Sequence, residues 1–268
     1  MIVTIDDALD PRLNAFRWRE RQLTTIAQRK SALNEGLFIA EGDLVVHRAL
    51  EAGCVPDVVL CDPKCATEFS DAVHDAGGTT LVASADIRRE VTGLGVPLDA
   101  IGVFKRPPLI SSDDLIAQST RLIVLDCVDN PSNVGSIART AAALGWDGLL
   151  LDSTSSDPLS RRALRVSMGT TFKLGFARFA STNEILAQLH QSGFATIGLT
   201  PHHESREATN LRSIQIEGKR ALVLGSERQG LSDASLELCT QLANITMADG
   251  VDSLNVASAS AIACFALL

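Results

Sequence analysis

Short apolar runs alternate with longer helix-like segments along the second half of the chain, and this alternation is the strongest constraint on the fold. The predicted strands cover residues 122–127, 148–151, 174–179, 195–200, 221–224 and 244–247. The predicted helices cover about 134–144, 159–168, 182–192, 232–240 and 255–267. Strands that are apolar throughout and separated by helices predict a mostly parallel sheet covered on both faces. In such sheets ligands bind at the carboxyl ends of the strands.

The first half of the chain predicts a smaller α/β domain. A helix is expected over 12–34, where no glycine or proline follows Pro11. An apolar run at 37–40, strands at 58–61 and 80–82, and helices at about 43–52 and 65–76 follow. The pair Pro107-Pro108 excludes a helix and favours an extended backbone. We therefore expect a first domain at 1–106, a linker at 107–119 and a second domain at 120–268.

Composition excludes several classes of protein. Apolar residues make up 46% of the 268 residues and charged residues 21%, which is too hydrophobic for a disordered chain. A net charge of −8 argues against a wholly basic nucleic-acid coat but leaves room for local basic faces. Each basic cluster is either a phosphate-contacting patch or a solvated helix face. The clusters are Arg12 to Lys30, Arg88-Arg89, Lys105-Arg106 and Arg161-Arg162-Arg165.

Targeting and metal signals are weak. The six cysteines have no C-x-x-C spacing and His202-His203 stands alone, so no metal site is predicted. The first ten residues lack a basic region, and the longest apolar tract, at 256–268, is too short to cross a bilayer. These features predict a soluble cytoplasmic protein.

The first segment of chemical interest covers residues 129–140, D-N-P-S-N-V-G-S-I-A-R-T, and leads from a predicted strand into a helix. Ser132 or Asn133 is expected to cap that helix through its side-chain oxygen. Arg139 lies on an otherwise small and apolar helix surface. Its guanidinium either extends to solvent or is held toward a substrate phosphate, which its planar geometry suits.

Two further segments follow later strands. In L-G-S-E-R-Q-G-L-S at 224–232, two glycines flank Glu227. This is either an ordinary loop with Ser232 as the helix cap, or a place where a ligand approaches the backbone closely. In I-T-M-A-D-G-V-D-S-L-N-V at 245–256, Ser253 or Asn255 is a candidate cap for a terminal helix rich in alanine and serine.

Several common nucleotide and hydrolase motifs are missing. The sequence Gly93-Leu94-Gly95 lacks the third glycine of the dinucleotide fingerprint, and Pro97 stands where its helix would begin. No Walker lysine follows a glycine-rich loop, and no G-x-S-x-G element occurs. Ordinary NAD chemistry, nucleotide hydrolysis and a serine hydrolase are therefore not indicated.

Taken in order, the three segments resemble the motifs of the SpoU (TrmH-like) branch of the SPOUT RNA methyltransferases. The stretch R-V-S-M-G at 165–169 is similar to the intervening motif of that family, and the resemblance covers essentially all of 120–268. More loosely, F-I-A-E-G at 38–42 and the helix after it resemble the L30e-like RNA-binding domain that precedes many SpoU domains. Thr246, where the family usually has proline, and Asp252 depart from the pattern.

The resemblance implies an α/β sheet with a C-terminal trefoil knot, a homodimer, and S-adenosylmethionine as the cofactor. The residues that match the family's cofactor-binding positions are Leu224, Gly225, Gly230, Ile245, Met247, Ser253 and Leu254. Those that match its catalytic positions are Arg139, Asn133, Glu227, Ser253 and Asn255. No metal is implied.

The reaction that the resemblance implies is methylation of a ribose 2′-hydroxyl in RNA. The family assigns Arg139 an activating role. Because a guanidinium gives up its proton with difficulty, we expect Arg139 to orient the substrate and stabilise charge while a neighbouring phosphate accepts the proton. The two-domain layout favours ribosomal RNA over tRNA. The alternatives are a non-catalytic RNA-binding or ribosome-assembly factor, and a methyltransferase acting on an RNA base or a small molecule.

Overall fold

The computed structural model describes residues 2–31, 33–201 and 207–268. The chain divides into two compact units, the first made of Met1–Leu109 with Leu159–Phe172 and the second of Ile110–Pro158 with Lys173–Leu268. The segment Leu159–Phe172 thus belongs to the first unit although it follows the predicted boundary. The assignment of the two units to an RNA-binding and a catalytic domain stays a prediction. Across the described ranges, no helix is long and apolar enough to cross a membrane.

The first unit contains a mixed sheet. Its strands are β1 (Ile2–Ile5), β2 (Leu37–Glu41), β3 (Pro56–Cys61), β4 (Thr79–Ala83) and β5 (Ala100–Lys105). Their order is β1-β4-β3-β5-β2, with β5 antiparallel to both neighbours and the other pairs parallel. The helices before the second unit are α1 (Glu20–Leu23), α2 (Ile26–Lys30), α3 (Asp43–Glu51), α4 (Ala66–Asp75) and α5 (Ala85–Thr92).

The single helix predicted over 12–34 is wrong. A 3-10 helix at Pro11–Arg17 is followed by the two short helices α1 and α2. Trp18 and Thr24 have extended backbones, with ψ of 141° at both residues. The Thr25 hydroxyl accepts the Gln28 N–H at 3.2 Å and so begins a new helix. Threonine side chains that bond nearby backbone groups compete with helix continuation, which apolar spacing alone does not reveal.

The second unit contains a parallel sheet. Its strands are β6 (Arg121–Leu125), β7 (Gly148–Leu151), β8 (Gly175–Arg178), β9 (Ala195–Leu199), β10 (Thr209–Asn210), β11 (Arg220–Leu224) and β12 (Gln241–Asn244). Within the described residues the order is β10-β12-β9-β11-β6-β7-β8, and each pair is parallel. The remaining helices are α6 (Ser112–Gln118), α7 (Pro131–Ala143), α8 (Arg161–Ser167, in the first unit), α9 (Thr182–Gln191), α10 (Asp233–Leu238) and α11 (Val256–Ala266).

Both faces of this sheet are buried. On one face, Ile123 and Leu125 of β6 pack with Ile137 of α7 and Ala263 of α11. On the other face, alternate β6 residues pack with the apolar side chains of α6 and α9. This alternation follows from the two-residue period of a strand. The predicted α/β fold with a parallel sheet is confirmed, whereas the trefoil knot stays a prediction.

Two local predictions in the second unit are corrected. The last strand was expected at 244–247 but occupies Gln241–Asn244, where it pairs with β9. The strand begins and ends with a polar residue, so an apolar run does not mark where it starts. The predicted linker carries the helix α6, because the Ser111 hydroxyl accepts the Asp114 N–H at 3.0 Å and caps it.

Candidate functional site

A cavity of about 430 Å³ lies at the carboxyl ends of β9, β11 and β12. Its size is in the range of small-molecule sites, and this edge is where parallel sheets bind ligands. All of the predicted cofactor-binding residues line it. The lining comprises Leu199, Thr200, Pro201, Leu224 to Leu231, Leu236, Ile245, Met247, Asp252, Ser253, Leu254, Val256 and Ala259.

The loop 225–231, called the glycine loop below, folds back on itself. The Ser226 and Gly230 backbones exchange two hydrogen bonds of 2.9 and 3.0 Å. A Cβ on Gly225 would lie 2.1 Å from the carbonyl carbon and oxygen of Gly230. Glycine at 225 is therefore required by the approach of the chain's own backbone. The predicted cap Ser232 is confirmed, since its hydroxyl accepts the Ser235 N–H at 3.3 Å.

Three predicted catalytic residues meet in one hydrogen-bond network beside the cavity. The Asn255 Nδ2 donates to Asn133 Oδ1 at 3.1 Å and to Glu227 Oε1 at 2.5 Å. The Asn255 Oδ1 accepts the N–H groups of Ala257 and Ser258 and so caps α11, as predicted. Because the oxygen is engaged by two backbone donors, the nitrogen is the atom that faces the other two residues.

Asn133 is 5% exposed and lies inside α7. The prediction that Ser132 or Asn133 caps this helix is wrong. Asn130 is the cap, and its Oδ1 accepts the Ser132 N–H at 2.9 Å while Pro131 occupies the first helical turn. The buried Asn133 Nδ2 has no hydrogen-bond partner within the described part of the chain. It is a donor that a ligand oxygen could satisfy.

Arg139 is not brought to the cavity lining. It lies on α7 and is exposed. Six helical positions separate it from Asn133, which places the two side chains about 120° apart around the helix axis. The predicted catalytic role of Arg139 stays a prediction.

The polar groups of the cavity include two carboxylates. Glu227 and Asp252 both line it, together with Arg228 and Ser253, so the lining carries a net charge of −1 and favours a ligand with a net positive charge. Thr246 lies just outside the lining, and its hydroxyl accepts Asn210 Nδ2 at 2.6 Å.

Two carboxylates at the same sheet edge were missed in the sequence. Asp126, directly after β6, accepts hydrogen bonds from Ser232 and Ser235. Asp152, directly after β7, is buried; burial raises its pKa, but hydrogen bonds from Ser155 and Thr154 outweigh this and hold the pKa below its ordinary value. Their position immediately after apolar strands is the signal that could have identified them.

Cys127 lies between these carboxylates. Its Sγ lies 3.8 Å from an oxygen of Asp126 and of Asp152. Burial raises the pKa of its thiol. A thiol that stays protonated near neutral pH is unreactive.

Several arginines of the basic clusters bond to other residues of the first unit. Arg88 is 2% exposed, pairs with Asp62 and donates to backbone carbonyls. Arg106 is buried and donates to Asn34, and Arg161 donates to the Phe16 carbonyl at 2.6 Å. Of the two alternatives left open for the basic clusters, a phosphate contact or a solvated helix face, neither describes these three side chains, which bond within the first unit. The basic residues of the predicted clusters that are exposed include Arg12, Arg17, Arg19, Arg21, Arg89, Lys105 and Arg162.

The described ranges contain no group of three or more His, Cys, Asp or Glu side chains that could hold a metal ion. His202-His203 lies outside the described residues.

Comparisons with known proteins agree on one family. The family model described as the SpoU rRNA methylase family matches residues 120–265. An uncharacterized tRNA/rRNA methyltransferase of Mycobacterium bovis is 34% identical over 260 residues, 97% of this chain and 89% of the relative.

Two solved structures share the fold of this chain. An AdoMet-bound rRNA methyltransferase from Sinorhizobium meliloti has a TM-score of 0.83 at 24% identity, covering 99% of this chain and 97% of its own. The SpoU methyltransferase AviRb from Streptomyces viridochromogenes, in complex with AdoMet, has a TM-score of 0.74 at 23% identity and covers 96% of each chain.

Proposed function

The chain belongs to the SpoU rRNA methylase family, and we propose that it methylates a ribose 2′-hydroxyl of RNA with S-adenosylmethionine as donor. The observation that carries the proposal is the cavity at the carboxyl edge of the second sheet, with the Asn133–Asn255–Glu227 network beside it. Ribosomal RNA is the proposed substrate, because the matched family is described by its action on rRNA.

The cavity suits S-adenosylmethionine in size, polarity and charge. Apolar side chains such as Leu199, Ile245 and Leu254 offer contacts for an adenine ring. The carboxylates of Glu227 and Asp252 favour the positive charges of the sulfonium and amino groups. The residues proposed to hold it are Leu224, Gly225, Gly230, Ile245, Met247, Ser253 and Leu254. When bound, it supplies a methyl group that the sulfonium charge has already activated.

The residues of the chain would orient the substrate and the phosphate that accepts its proton. The unpartnered Asn133 Nδ2 would donate to a substrate oxygen, and Asn255 holds Asn133 in place. Glu227 keeps the Asn255 amide directed toward the site. Arg139 would bind the adjoining phosphate through two N–H groups. The 2′-hydroxyl is a weak nucleophile. Its oxygen would form the new bond to the methyl carbon and its proton would pass to that phosphate, while the carbon–sulfur bond of the donor would break and S-adenosylhomocysteine would leave.

The proposed assembly is a homodimer formed through α11. This helix is apolar around most of its surface, yet its Phe265 is 69% exposed and its Ile262 is exposed as well, and Leu268, just past the end of the helix, is also exposed. Side chains spaced by three residues share one side of a helix. A second copy would bury this stripe. Light scattering should give a dimer for the wild type and a smaller mass for Phe265→Glu.

Methyl transfer from labelled S-adenosylmethionine to unmodified rRNA and tRNA pools, followed by digestion to nucleosides, tests the reaction. We expect label in a 2′-O-methylnucleoside from the rRNA pool. Label in a modified base would instead identify a base methyltransferase. Asn255→Asp is the matched variant, because it keeps a helix cap but removes the amide donor.

Calorimetric titration of the cofactor separates the remaining alternative. Binding without transfer to free RNA would direct the assay to ribosomal particles as substrates. Neither binding nor transfer would favour an RNA-binding factor that has kept the fold.

A further inference from the structure

We propose that Asp126 is a positioning residue that holds the glycine loop in the shape that forms the cavity. Asp126 directly follows β6, and its backbone N–H donates to the Leu224 carbonyl at 2.9 Å. It is 2% exposed. The inference rests on the proposed function, since the glycine loop is proposed to contact the cofactor.

One carboxylate oxygen holds the junction where the glycine loop enters α10. Asp126 Oδ2 accepts the Ser232 N–H at 2.9 Å and the Ser235 hydroxyl at 2.7 Å. The other oxygen faces the Cys127 sulfur at 3.8 Å. Hydrogen bonds to an ionised acceptor are stronger than those between neutral groups. The carboxylate therefore fixes one end of the glycine loop to the end of β6.

The other end of the glycine loop is fixed by packing. Gly225 continues β11 and lies against the backbones of Gly230 and Leu231. Between these two ends, residues 227–230 are exposed and have little core of their own. Segments with few buried contacts open easily unless their ends are held. Glu227, which accepts the Asn255 amide, lies in this exposed part.

The same sheet offers a matched control at its opposite edge. The Asp147 Oδ2 accepts the Thr120 N–H at 2.7 Å, the Thr120 hydroxyl at 3.1 Å and the Arg121 N–H at 2.8 Å. Asp147, directly before β7, thus holds the start of β6 by similar hydrogen bonds, but away from the cavity. A purely structural role for Asp126 would make the two residues equivalent.

Asp126→Ala, Asp126→Asn and Asp147→Ala should be compared with the wild type. The measurements are the cofactor dissociation constant by calorimetry, the melting temperature, and amide hydrogen exchange over 225–232. Asp126→Ala should raise the dissociation constant at least about tenfold and speed exchange in the glycine loop. Asp126→Asn should lie between the wild type and Asp126→Ala, because its amide oxygen can still accept both hydrogen bonds but lacks the charge that strengthens them. Asp147→Ala should lower the melting temperature and leave the dissociation constant unchanged.

Three outcomes would overturn the inference: wild-type affinity in Asp126→Ala, equal loss of affinity in Asp126→Ala and Asp147→Ala, or unchanged exchange in the glycine loop. If the wild type itself does not bind S-adenosylmethionine, the proposed function fails. Hydrogen exchange of the ligand-free protein still tests the positioning role in that case, so the two failures are distinguishable.

Discussion

Replacing Asn255 with alanine or with aspartate should separate the stability of α11 from the working of the network. Asn255→Ala removes the cap on Ala257 and Ser258 as well as the donor to Asn133 and Glu227. Asn255→Asp keeps the cap, because aspartate caps a helix as well as asparagine does, but it removes the donor and brings a second carboxylate to Glu227.

The stability cost follows from the burial of the partners. Loss of a helix cap costs about 1 kcal/mol. Leaving the buried Asn133 Oδ1 unpaired costs about 1–3 kcal/mol. The bond to Glu227 adds little, since that carboxylate is exposed and water replaces the amide. We therefore expect Asn255→Ala to lose about 2–4 kcal/mol, and Asn255→Asp about 1 kcal/mol less.

Activity should follow a different order. The aspartate at 255 would face the Glu227 carboxylate and repel it, so that the network is displaced as well as broken. Asn255→Asp should therefore be the more stable variant but no more active than Asn255→Ala, with both at least about tenfold below the wild type.

Calorimetric unfolding measures the stability of each variant. Methyl transfer under saturating cofactor measures its activity, at a temperature where circular dichroism shows every variant folded. Wild-type activity in Asn255→Asp would refute the role of the network. Equal stability of the two variants would refute the account of Asn255 as a cap.

Other substitutions test the glycine loop, an ionised carboxylate and a buried arginine. Gly225→Ala should abolish cofactor binding, because its Cβ would lie 2.1 Å from the Gly230 carbonyl. Gly230 has a φ of 72° and open space around it, so Gly230→Ala should cost only about 1–2 kcal/mol of stability. Equal cofactor binding in Gly225→Ala and Gly230→Ala would contradict the different effects expected of them. The lowered pKa of Asp152 stabilises the fold above pH 3.8, and this contribution is lost as pH falls through the folded-state value. As the pH falls, the free energy of unfolding of Asp152→Asn should therefore converge with that of the wild type. A difference between the two that does not change with pH would refute this. In urea unfolding, Arg88→Ala should lose about 3–5 kcal/mol and its exposed neighbour Arg89→Ala less than about 1 kcal/mol; similar losses would show that burial does not matter here.

The parallel sheet and the edge that carries the cavity could be predicted because the information is local. The β6 run from Leu122 to Leu125 is apolar at every position, as a strand buried on both faces must be. The general rule that ligands bind at the carboxyl ends of parallel strands favours three segments, and two of them, 224–232 and 245–256, line the cavity.

The fate of individual polar side chains was harder to predict. Arg88 and Arg89 are adjacent, yet the first is buried and the second exposed. They differ because Arg88 donates to Asp62 and to the Leu98 carbonyl. Both partners are distant in the sequence, so the residues around Arg88 do not predict these contacts. The cap of α7 is different: the prediction of Ser132 or Asn133 was avoidable, because Pro131 favours the first helical turn and so places the cap at Asn130.

For Asn255, capping a helix and building the site are one arrangement. Its oxygen is held by the N–H groups at the start of α11, and this fixes the direction of the nitrogen toward Asn133 and Glu227. Serine, threonine and aspartate cap helices through an oxygen but carry no amide donor. A serine or threonine hydroxyl can also donate, but through a single O–H on the atom that caps the helix, whereas asparagine has a separate nitrogen with two N–H groups, which reach Asn133 and Glu227. The cap is therefore what orients the donor, which explains why an ordinary helix start at this position also carries the candidate site.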